Sequence, residues 1–309
     1  MMTFAYATKA QFVAHSAEVA DHVAAFGYAV VRPWDHSAAA LRQVAERFGR
    51  VQSHIRADAN GLVGIATDAV VNHDWEQFRS EYHGVSAEEF LPHTDGSYLH
   101  GIVYANGAYE QLLPPRMLLL QCVQAAASGG QNVLIDGQAV RRDLARERPG
   151  DLALLSRKGC VTYCRDDQIA LDCAVFQALD DGTVMLRFRY DTTAYVADWA
   201  MEAFATLQNR YFADSKYFIR RSLAADEILV IDNHRMLHGR DAFADAGAGQ
   251  KRQMRRVWLA HEGMPLLLNA VGQHVDRRAL RRFGSYFIHP AATARDERSL
   301  ACTGIRCAA

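Results

Sequence analysis

Short runs of apolar residues occur along most of the chain, and their composition and length predict β-strands. They are rich in Val, Ile, Leu and Tyr, and turn-forming or charged residues bound them. One early run, GYAVVRPW (27–34), ends at a proline. The later runs are RMLLLQCV (116–123), QNVLI (131–135), GCVTYC (159–164), VMLRFRY (184–190), EILVID (227–232) and RRVWLAH (255–261).

Helical spacing of apolar residues appears in fewer places. Residues 37–48 form an amphipathic pattern that Ser37 can cap and Gly49 can end. Residues 137–157 predict a helix that Pro149 breaks, because proline cannot continue the hydrogen-bond ladder. A third helix is predicted over 197–213. Its apolar stripe consists of Ala200, Phe204, Leu207 and Tyr211.

Many strands with scattered helices, and no regular alternation of strand and helix, predict a β-rich α+β fold. The pattern favours a sandwich or barrel with peripheral helices over a doubly wound sheet. No convincing linker interrupts the 309 residues, so we expect a single domain over 1–309.

Charge and hydropathy limit the partners of the protein. Lys and Arg total 34 and Asp and Glu total 35, which argues against nucleic acid as a partner. No apolar run approaches the roughly 18 residues that a membrane span requires, and the first residues lack a signal-peptide pattern. We therefore expect a cytoplasmic protein with a small-molecule substrate and no membrane partner. Homo-oligomer formation is left open.

The segment LPHTDGSYLHG (91–101) contains candidate metal ligands. On extended chain, His93 and Asp95 point to the same face because side chains alternate with a period of two. A remote histidine, His238, follows a buried strand in DNHRMLHGR (232–240). Two histidines and one carboxylate form the facial triad of non-haem Fe(II) oxygenases, which leaves coordination positions open.

Two other histidines compete for this role. His234 precedes His238 by four residues, and the pair could share a metal if the segment were helical. The apolar run before it and Gly239 after it predict a strand and a turn instead, so we place His234 outside the ligand set. His100 is close to Asp95 in sequence but lies outside the HTD motif.

Four motifs occur in an order that resembles the taurine dioxygenase and γ-butyrobetaine hydroxylase superfamily of Fe(II)/2-oxoglutarate-dependent oxygenases. They are HTD (93–95), PPRMLLLQCV leading to SGGQNVLIDG (114–137), DNHRMLHGR (232–240) and RQMRR (252–256). The resemblance implies a double-stranded β-helix (jelly-roll) core over about residues 27–262, followed by a C-terminal extension. It also implies Fe(II) held by His93, Asp95 and His238, with 2-oxoglutarate and O2 as cosubstrates.

The resemblance also implies anchors for 2-oxoglutarate. Arg256 is expected to be the principal partner of the far carboxylate and Arg252 to assist, since arginine offers a fixed fork for two oxygens. Arg255 should point to the other face of the strand. Asn132 is a further candidate donor to the cosubstrate, and Gly129 and Gly130 predict a turn.

The implied activity is hydroxylation of an unactivated C–H bond in a small polar metabolite, an amino acid or amine derivative, with release of succinate and CO2. Desaturation, epoxidation or cyclisation would use the same cofactors. A non-catalytic jelly-roll protein that binds a metal or small molecule is the alternative of another class. The intact Asp95 argues against halogenation, because related halogenases lack this carboxylate.

Candidate substrate residues follow from position alone. Tyr98, His100 and Tyr104 come shortly after the HTD motif. Arg187 and Arg189 would share one face of the predicted strand 184–190 and could bind an anionic group. The alternative for these arginines is solvent exposure with acidic neighbours as partners.

Overall fold

The structure is a computed structural model that describes residues 2–52, 54, 57–66, 86–99, 101–105, 108–165, 168–191, 193–247, 251–260 and 286–288. The α-helices are α1 (Lys9–Phe26), α2 (Ala38–Glu46), α3 (Gly137–Glu147), α4 (Pro149–Leu155) and α5 (Met201–Thr206). A 3-10 turn at Asp198–Ala200 precedes α5, and a π-helical turn at Leu207–Phe212 follows it.

The strands account for most of the remaining regular structure. They are β1 (Thr3–Ala5), β2 (Tyr28–Arg32), β3 (Val51–Gln52), β4 (Leu62–Ala66), β5 (Phe90–His93), β6 (Gly101–Ala105), β7 (Ala108–Leu112), β8 (Met117–Gln124), β9 (Ser128–Gly129), β10 (Asn132–Asp136), β11 (Val161–Arg165), β12 (Gln168–Cys173), β13 (Phe176–Ala178), β14 (Val184–Leu186), β15 (Ala194–Ala197), β16 (Phe218–Arg221), β17 (Ile228–Asp232), β18 (Met236–Arg240), β19 (Phe243–Ala244), β20 (Gln253–Leu259) and β21 (Tyr286–Ile288). The strand-rich prediction is confirmed.

The chain divides into two compact units. The first comprises Met1–Pro92, Pro115–Asp136 and Phe218–Leu268. Its larger sheet has seven strands in the order β1-β2-β17-β8-β20-β3, with β4 also paired to β20. A four-stranded sheet has the order β16-β10-β18-β5. The prediction of one domain over 1–309 stays a prediction.

The larger sheet buries one face against helices α1 and α2. Phe12 and Val19 of α1 and Leu41 of α2 form one core with sheet residues such as Leu119 and Val257. Because side chains alternate along a strand, the neighbours of Val257 in β20 project to the opposite face of the sheet. This alternation separates the arginines of the RQMRR motif.

The second unit comprises His93–Pro114, Gly137–Tyr217 and Asn269–Ala309. Its four-stranded sheet has the order β12-β11-β15-β21, and the pairs β13-β14 and β6-β7 form separate two-stranded sheets. The ring of Phe188 packs against Phe204 and Phe212, with centroids 4.8 and 4.7 Å away. These aromatic contacts fix the chain that follows β14.

Most predicted elements are confirmed, with differences at their ends. Helix α2 begins after the Ser37 cap but ends at Glu46, before Gly49. Pro149 is the first residue of α4 and so separates this helix from α3. The predicted helix over 197–213 contains 3-10, α and π turns in succession. Helix α1 was not predicted. Among the described residues, no helix has the length and apolar character required to cross a membrane.

Candidate metal centre

Two neighbouring strands of one sheet carry the two predicted histidine ligands. His93 is the last residue of β5, and His238 is the central residue of β18. The two strands are adjacent in the four-stranded sheet. A Cβ atom at Gly239 would lie only 2.5 Å from the carbonyl oxygen of Phe90, so the glycine after His238 allows β5 to approach β18 closely.

Asp95 lies in a turn, and the prediction of an extended HTD segment is correct only for His93. The strand ends at His93, and residues 95–98 form the turn. Gly96 adopts a φ of 68°, which glycine tolerates without steric cost, and Leu99 N–H donates to the Gly96 carbonyl at 2.8 Å. A reversal of the chain, rather than the period of two, therefore determines where the carboxylate points.

The three predicted ligands converge. One donor atom from each of His93, Asp95 and His238 lies within 4.8 Å of the others, and all three residues are buried. His93 Nε2 and Asp95 Oδ1 are 3.5 Å apart, longer than a good hydrogen bond and compatible with two ligands of one ion. Two imidazoles and one carboxylate are the donor set that non-haem Fe(II) takes, so these residues fit iron.

His234 is buried but does not join this group among the described residues. It lies in the turn between β17 and β18, where its backbone N–H donates to Asp232 Oδ1 at 3.0 Å. Asp232 also pairs with Arg116, and Arg235 pairs with Asp136 at 2.7 Å. These ion pairs fix the turn that leads into β18, so the segment is not helical, as predicted, but His238 and Gly239 lie in a strand and not in the predicted turn.

Arg252 lies in a cluster with Arg240 and Phe243. Both guanidinium groups lie over the Phe243 ring, at 4.5 Å for Arg240 and 5.4 Å for Arg252. Burial, and then the positive charge of Arg252, lower the pKa of Arg240 to about 10. Burial also lowers the pKa of Arg252, while Cys122 and Asp245 act in the opposite direction. The cluster combines two like charges in a buried environment, which favours an anionic ligand.

Arg256 lies within β20, whereas Arg252 precedes the strand, and the two have different surroundings. Its guanidinium group stacks over the Trp258 ring at 4.9 Å, and the His54 ring meets the same indole edge-on at 4.5 Å. Arg255 projects to the opposite face, as predicted, where its Nη1 donates to the His36 carbonyl and to Gln121 Oε1. Arg252 and Arg256 are nearly buried, so a ligand bound there would be shielded from water.

Arg240 is a residue that the sequence reasoning missed. It pairs with Asn132 across β18 and β10, while His238 pairs with Leu134, so Arg240, Asn132 and His238 share one sheet face. The period-two argument, applied to HGR, would have found it. The Asn132 side chain donates to the Arg221 carbonyl at 3.2 Å, and its predicted role toward 2-oxoglutarate stays a prediction.

The candidate substrate residues have mixed outcomes. The predicted strand 184–190 ends at Leu186, so placing Arg187 and Arg189 on one strand face is wrong. Both are buried, which also excludes the exposed alternative, and Arg189 pairs with Asp191 at 2.5 Å. Tyr98 is buried in the turn after Asp95. His100 and the side chain of Tyr104 lie outside the described residues.

Known proteins with similar sequences were found for part of the chain. Gamma-butyrobetaine dioxygenase of Homo sapiens is 24% identical over 180 residues, a match that covers 53% of this chain and 45% of that protein. The enzyme of the same name from Pongo abelii matches to the same extent. The matched part is thus less than half the length of these relatives.

Solved structures resemble most of the chain. An asparagine oxygenase in complex with Fe(II), (2S,3S)-3-hydroxyasparagine and succinate has a TM-score of 0.58 at 16% identity, covering 81% of this chain and 79% of that one. The non-haem iron oxygenase OrfP, in complex with Fe, succinate and (3S)-hydroxy-L-Arg, has a TM-score of 0.55 at 12% identity, covering 84% and 94%. At such identities the likeness concerns the fold, and it confirms the predicted jelly-roll class.

The family model for taurine catabolism dioxygenase TauD, TfdA family, matches residues 3–258. This range contains HTD, DNHRMLHGR and RQMRR, together with every predicted site residue. Because the match covers most of the 309 residues, the chain belongs to the TauD/TfdA family.

Proposed function

We propose that the protein is an Fe(II)- and 2-oxoglutarate-dependent oxygenase that hydroxylates a small polar metabolite. The observation that carries the proposal is the convergence of His93, Asp95 and His238 in a buried position. Membership of the TauD/TfdA family supports it. A cytoplasmic location remains part of the proposal.

The three ligands would hold Fe(II) on one side. Each histidine would present a neutral ring nitrogen and Asp95 an ionised oxygen, and three protein ligands would leave coordination positions for 2-oxoglutarate and O2. When bound, this centre supplies the oxidation of an unactivated C–H bond, coupled to conversion of 2-oxoglutarate into succinate and CO2.

Two arginines of the RQMRR motif would orient the cosubstrate. We assign Arg256 as principal partner of the far carboxylate and Arg252 as a second cation near cosubstrate or substrate, with Asn132 as a further donor. A planar guanidinium group can bind both oxygens of a carboxylate at once. Burial of both arginines excludes water and strengthens the charge interaction.

An amino acid or amine derivative is the proposed substrate class. The asparagine oxygenase and OrfP complexes contain hydroxylated amino acids, and the human relative is named for γ-butyrobetaine. Buried Tyr98 is retained as a candidate substrate contact. A screen of amino acids and betaines for substrate-dependent succinate release would identify the substrate, and analysis of the product would distinguish hydroxylation from desaturation, epoxidation or cyclisation.

Anaerobic titration with Fe(II) and 2-oxoglutarate tests the proposal. Wild-type protein should develop a visible charge-transfer band, because the keto acid chelates protein-bound iron. His238→Ala should lose the band. His234→Ala is the matched control, since His234 is an equally buried histidine four residues away and should leave the band in place. A wild-type protein without the band would favour the non-catalytic binding protein.

A further inference from the structure

The turn that carries Asp95 is held by a neighbouring segment of the same unit, residues 187–188. Thr94 N–H donates to the Phe188 carbonyl at 2.9 Å, and Phe188 N–H donates to Thr94 Oγ1 at 3.0 Å. Thr94 stands between the two ligands His93 and Asp95. These two hydrogen bonds therefore fix both backbone and side chain of the residue that separates the ligands.

Arg187 holds the other end of the turn. Its Nη1 donates to the carbonyls of Ser97 and Leu99, at 3.0 and 3.1 Å. These residues lie two and four positions after Asp95. The guanidinium group also contacts Cys173 Sγ at 3.2 Å, and the Tyr163 hydroxyl donates to the Arg187 carbonyl at 3.0 Å. The arginine is thus fixed by its own neighbours while it fixes the turn.

The burial of Arg187 makes a purely space-filling role implausible. The side chain is 0% exposed, and within the described residues its hydrogen bonds go to carbonyl oxygens and a sulfur atom, with no carboxylate in an ion pair. Burying a cation without a carboxylate is costly, and an apolar side chain would fill the same volume more cheaply. The Nη1 donors are therefore what this position uses, since Nε and Nη2 make no hydrogen bond within the described residues.

The segment that bears these contacts is itself anchored. Phe188 packs between Phe204 and Phe212, and Arg187 N–H donates to the Val175 carbonyl at 2.8 Å. A rigid support of this kind can transmit its position to the turn that it contacts. Groups that orient metal ligands typically change metal affinity by about 10- to 100-fold when removed.

We propose that Thr94 and Arg187 are positioning residues, which lock the Asp95 turn in the conformation that presents its carboxylate to iron. The inference rests on the proposed function, because it presumes that His93, Asp95 and His238 bind a metal. It assigns no contact with the metal to either residue. It predicts that the loss of either hydrogen-bonding group weakens metal binding in folded protein.

Titration of the metal-free protein with Co(II), followed by visible ligand-field absorption, tests the inference. Thr94→Val keeps the shape of the side chain but removes the acceptor for Phe188 N–H, and should raise the Co(II) Kd by about 10- to 100-fold. Thr94→Ser keeps the hydroxyl group and should bind Co(II) with an affinity close to that of wild type. Arg187→Met, which keeps a long unbranched side chain but has no donor for the two carbonyls, should weaken binding in the same direction.

Thr162→Val is the matched control. Thr162 is also a fully buried threonine of the second unit, and its hydroxyl group makes no hydrogen bond in the structure. This variant should bind Co(II) with wild-type affinity. Unchanged affinity in folded Thr94→Val, or an equal loss in Thr162→Val, would overturn the inference. Failure of wild-type protein to bind Co(II) would instead overturn the proposed function.

Hydrogen exchange on wild-type protein provides a measurement that does not depend on the variants folding. Co(II) should increase the protection of the Phe188 amide, because the clamp and the metal stabilise the same turn. The peptide containing Thr162 serves as the internal reference. Absence of any change at Phe188, with Co(II) demonstrably bound, would also overturn the inference.

Discussion

The segment that contains Arg187 and Arg189 and the segment that contains Arg252 and Arg256 differ in what surrounds their guanidinium groups. Arg189 forms an ion pair with Asp191 at 2.5 Å, and Arg187 donates to backbone carbonyls. Arg252 and Arg256 instead lie over aromatic rings, and Arg252 shares the Phe243 ring with Arg240.

The difference shows how buried arginines can be sorted into structural and ligand-binding groups. A guanidinium group with a carboxylate two residues away is neutralised within the fold and gains little from a ligand. Two arginines that repel each other across a ring gain more, since a bound anion relieves the repulsion and the aromatic ring holds the fork in place. Fold stability should therefore depend on the Arg189–Asp191 pair and cosubstrate affinity on the second segment.

Asp191→Asn should have the largest effect on stability. It would leave Arg189 charged and buried without its carboxylate, and removing one partner of a buried pair costs about 3–5 kcal/mol. Denaturant unfolding of metal-free protein measures this loss. The 2-oxoglutarate affinity of the folded fraction should stay at the wild-type level. A loss below about 1 kcal/mol would show that the pair contributes little, as exposed pairs do.

Acid should weaken the same ion pair without any mutation. Burial by itself raises the pKa of Asp191, but Arg189 and Thr193 outweigh it and hold the pKa below its usual value. Because the folded-state pKa is depressed, the stabilisation is complete above the unfolded-state pKa of about 3.9 and is lost as the pH falls below it. The free energy of unfolding should decrease as the pH is lowered through this range. The decrease should be less steep in Asp191→Asn.

The sequence predicted the three candidate ligands but not the local structure that carries each of them. His93 was found from the HxD spacing and His238 from its place after the apolar run 227–232, although neither β5 nor β18 was predicted. The segment 184–190 looked like one continuous strand, but the chain leaves the strand at Leu186, so the alternation used for Arg187 and Arg189 does not apply. Arg187 donates to carbonyl groups that are remote in sequence, and no local sequence pattern predicts such contacts. Arg189 pairs with the nearby carboxylate of Asp191.

Helix α1 shows a different kind of failure, because its signals were present. Thr8 accepts from Gln11 N–H at the start, and Gly27, with a φ of 83°, ends the helix. Its buried positions, Phe12, Val19 and Val23, follow helical spacing. The stripe also contains Ser16 and the opposite face is rich in alanine, so the contrast between faces is weak. The caps would have predicted this helix better than the periodicity.

Lysine substitutions at Arg252 and Arg256 should separate ligand binding from stability. Arg256→Lys should weaken 2-oxoglutarate binding by about 1.5–3 kcal/mol, because one ammonium group cannot replace the two-pronged contact. Arg252→Lys should have the smaller effect. Calorimetric titration of Mn(II)-loaded protein with 2-oxoglutarate gives both affinities. The reverse order would make Arg252 the principal anchor, and unfolding measurements should show little change in either variant.

Arg255→Ala should have the smallest effect and serves as the control within the same motif. Arg255 lies on the helix-covered side of β20 and donates to the His36 carbonyl and Gln121 Oε1. Loss of these partly exposed hydrogen bonds should lower the free energy of unfolding by about 0.5–1.5 kcal/mol. The 2-oxoglutarate affinity should not change, since alternation turns this side chain away from Arg256. A tenfold loss of affinity would mean that strand alternation does not decide which arginine of RQMRR contacts the cosubstrate. The contrast between the two arginine segments would then be supported only by the effect of Asp191→Asn.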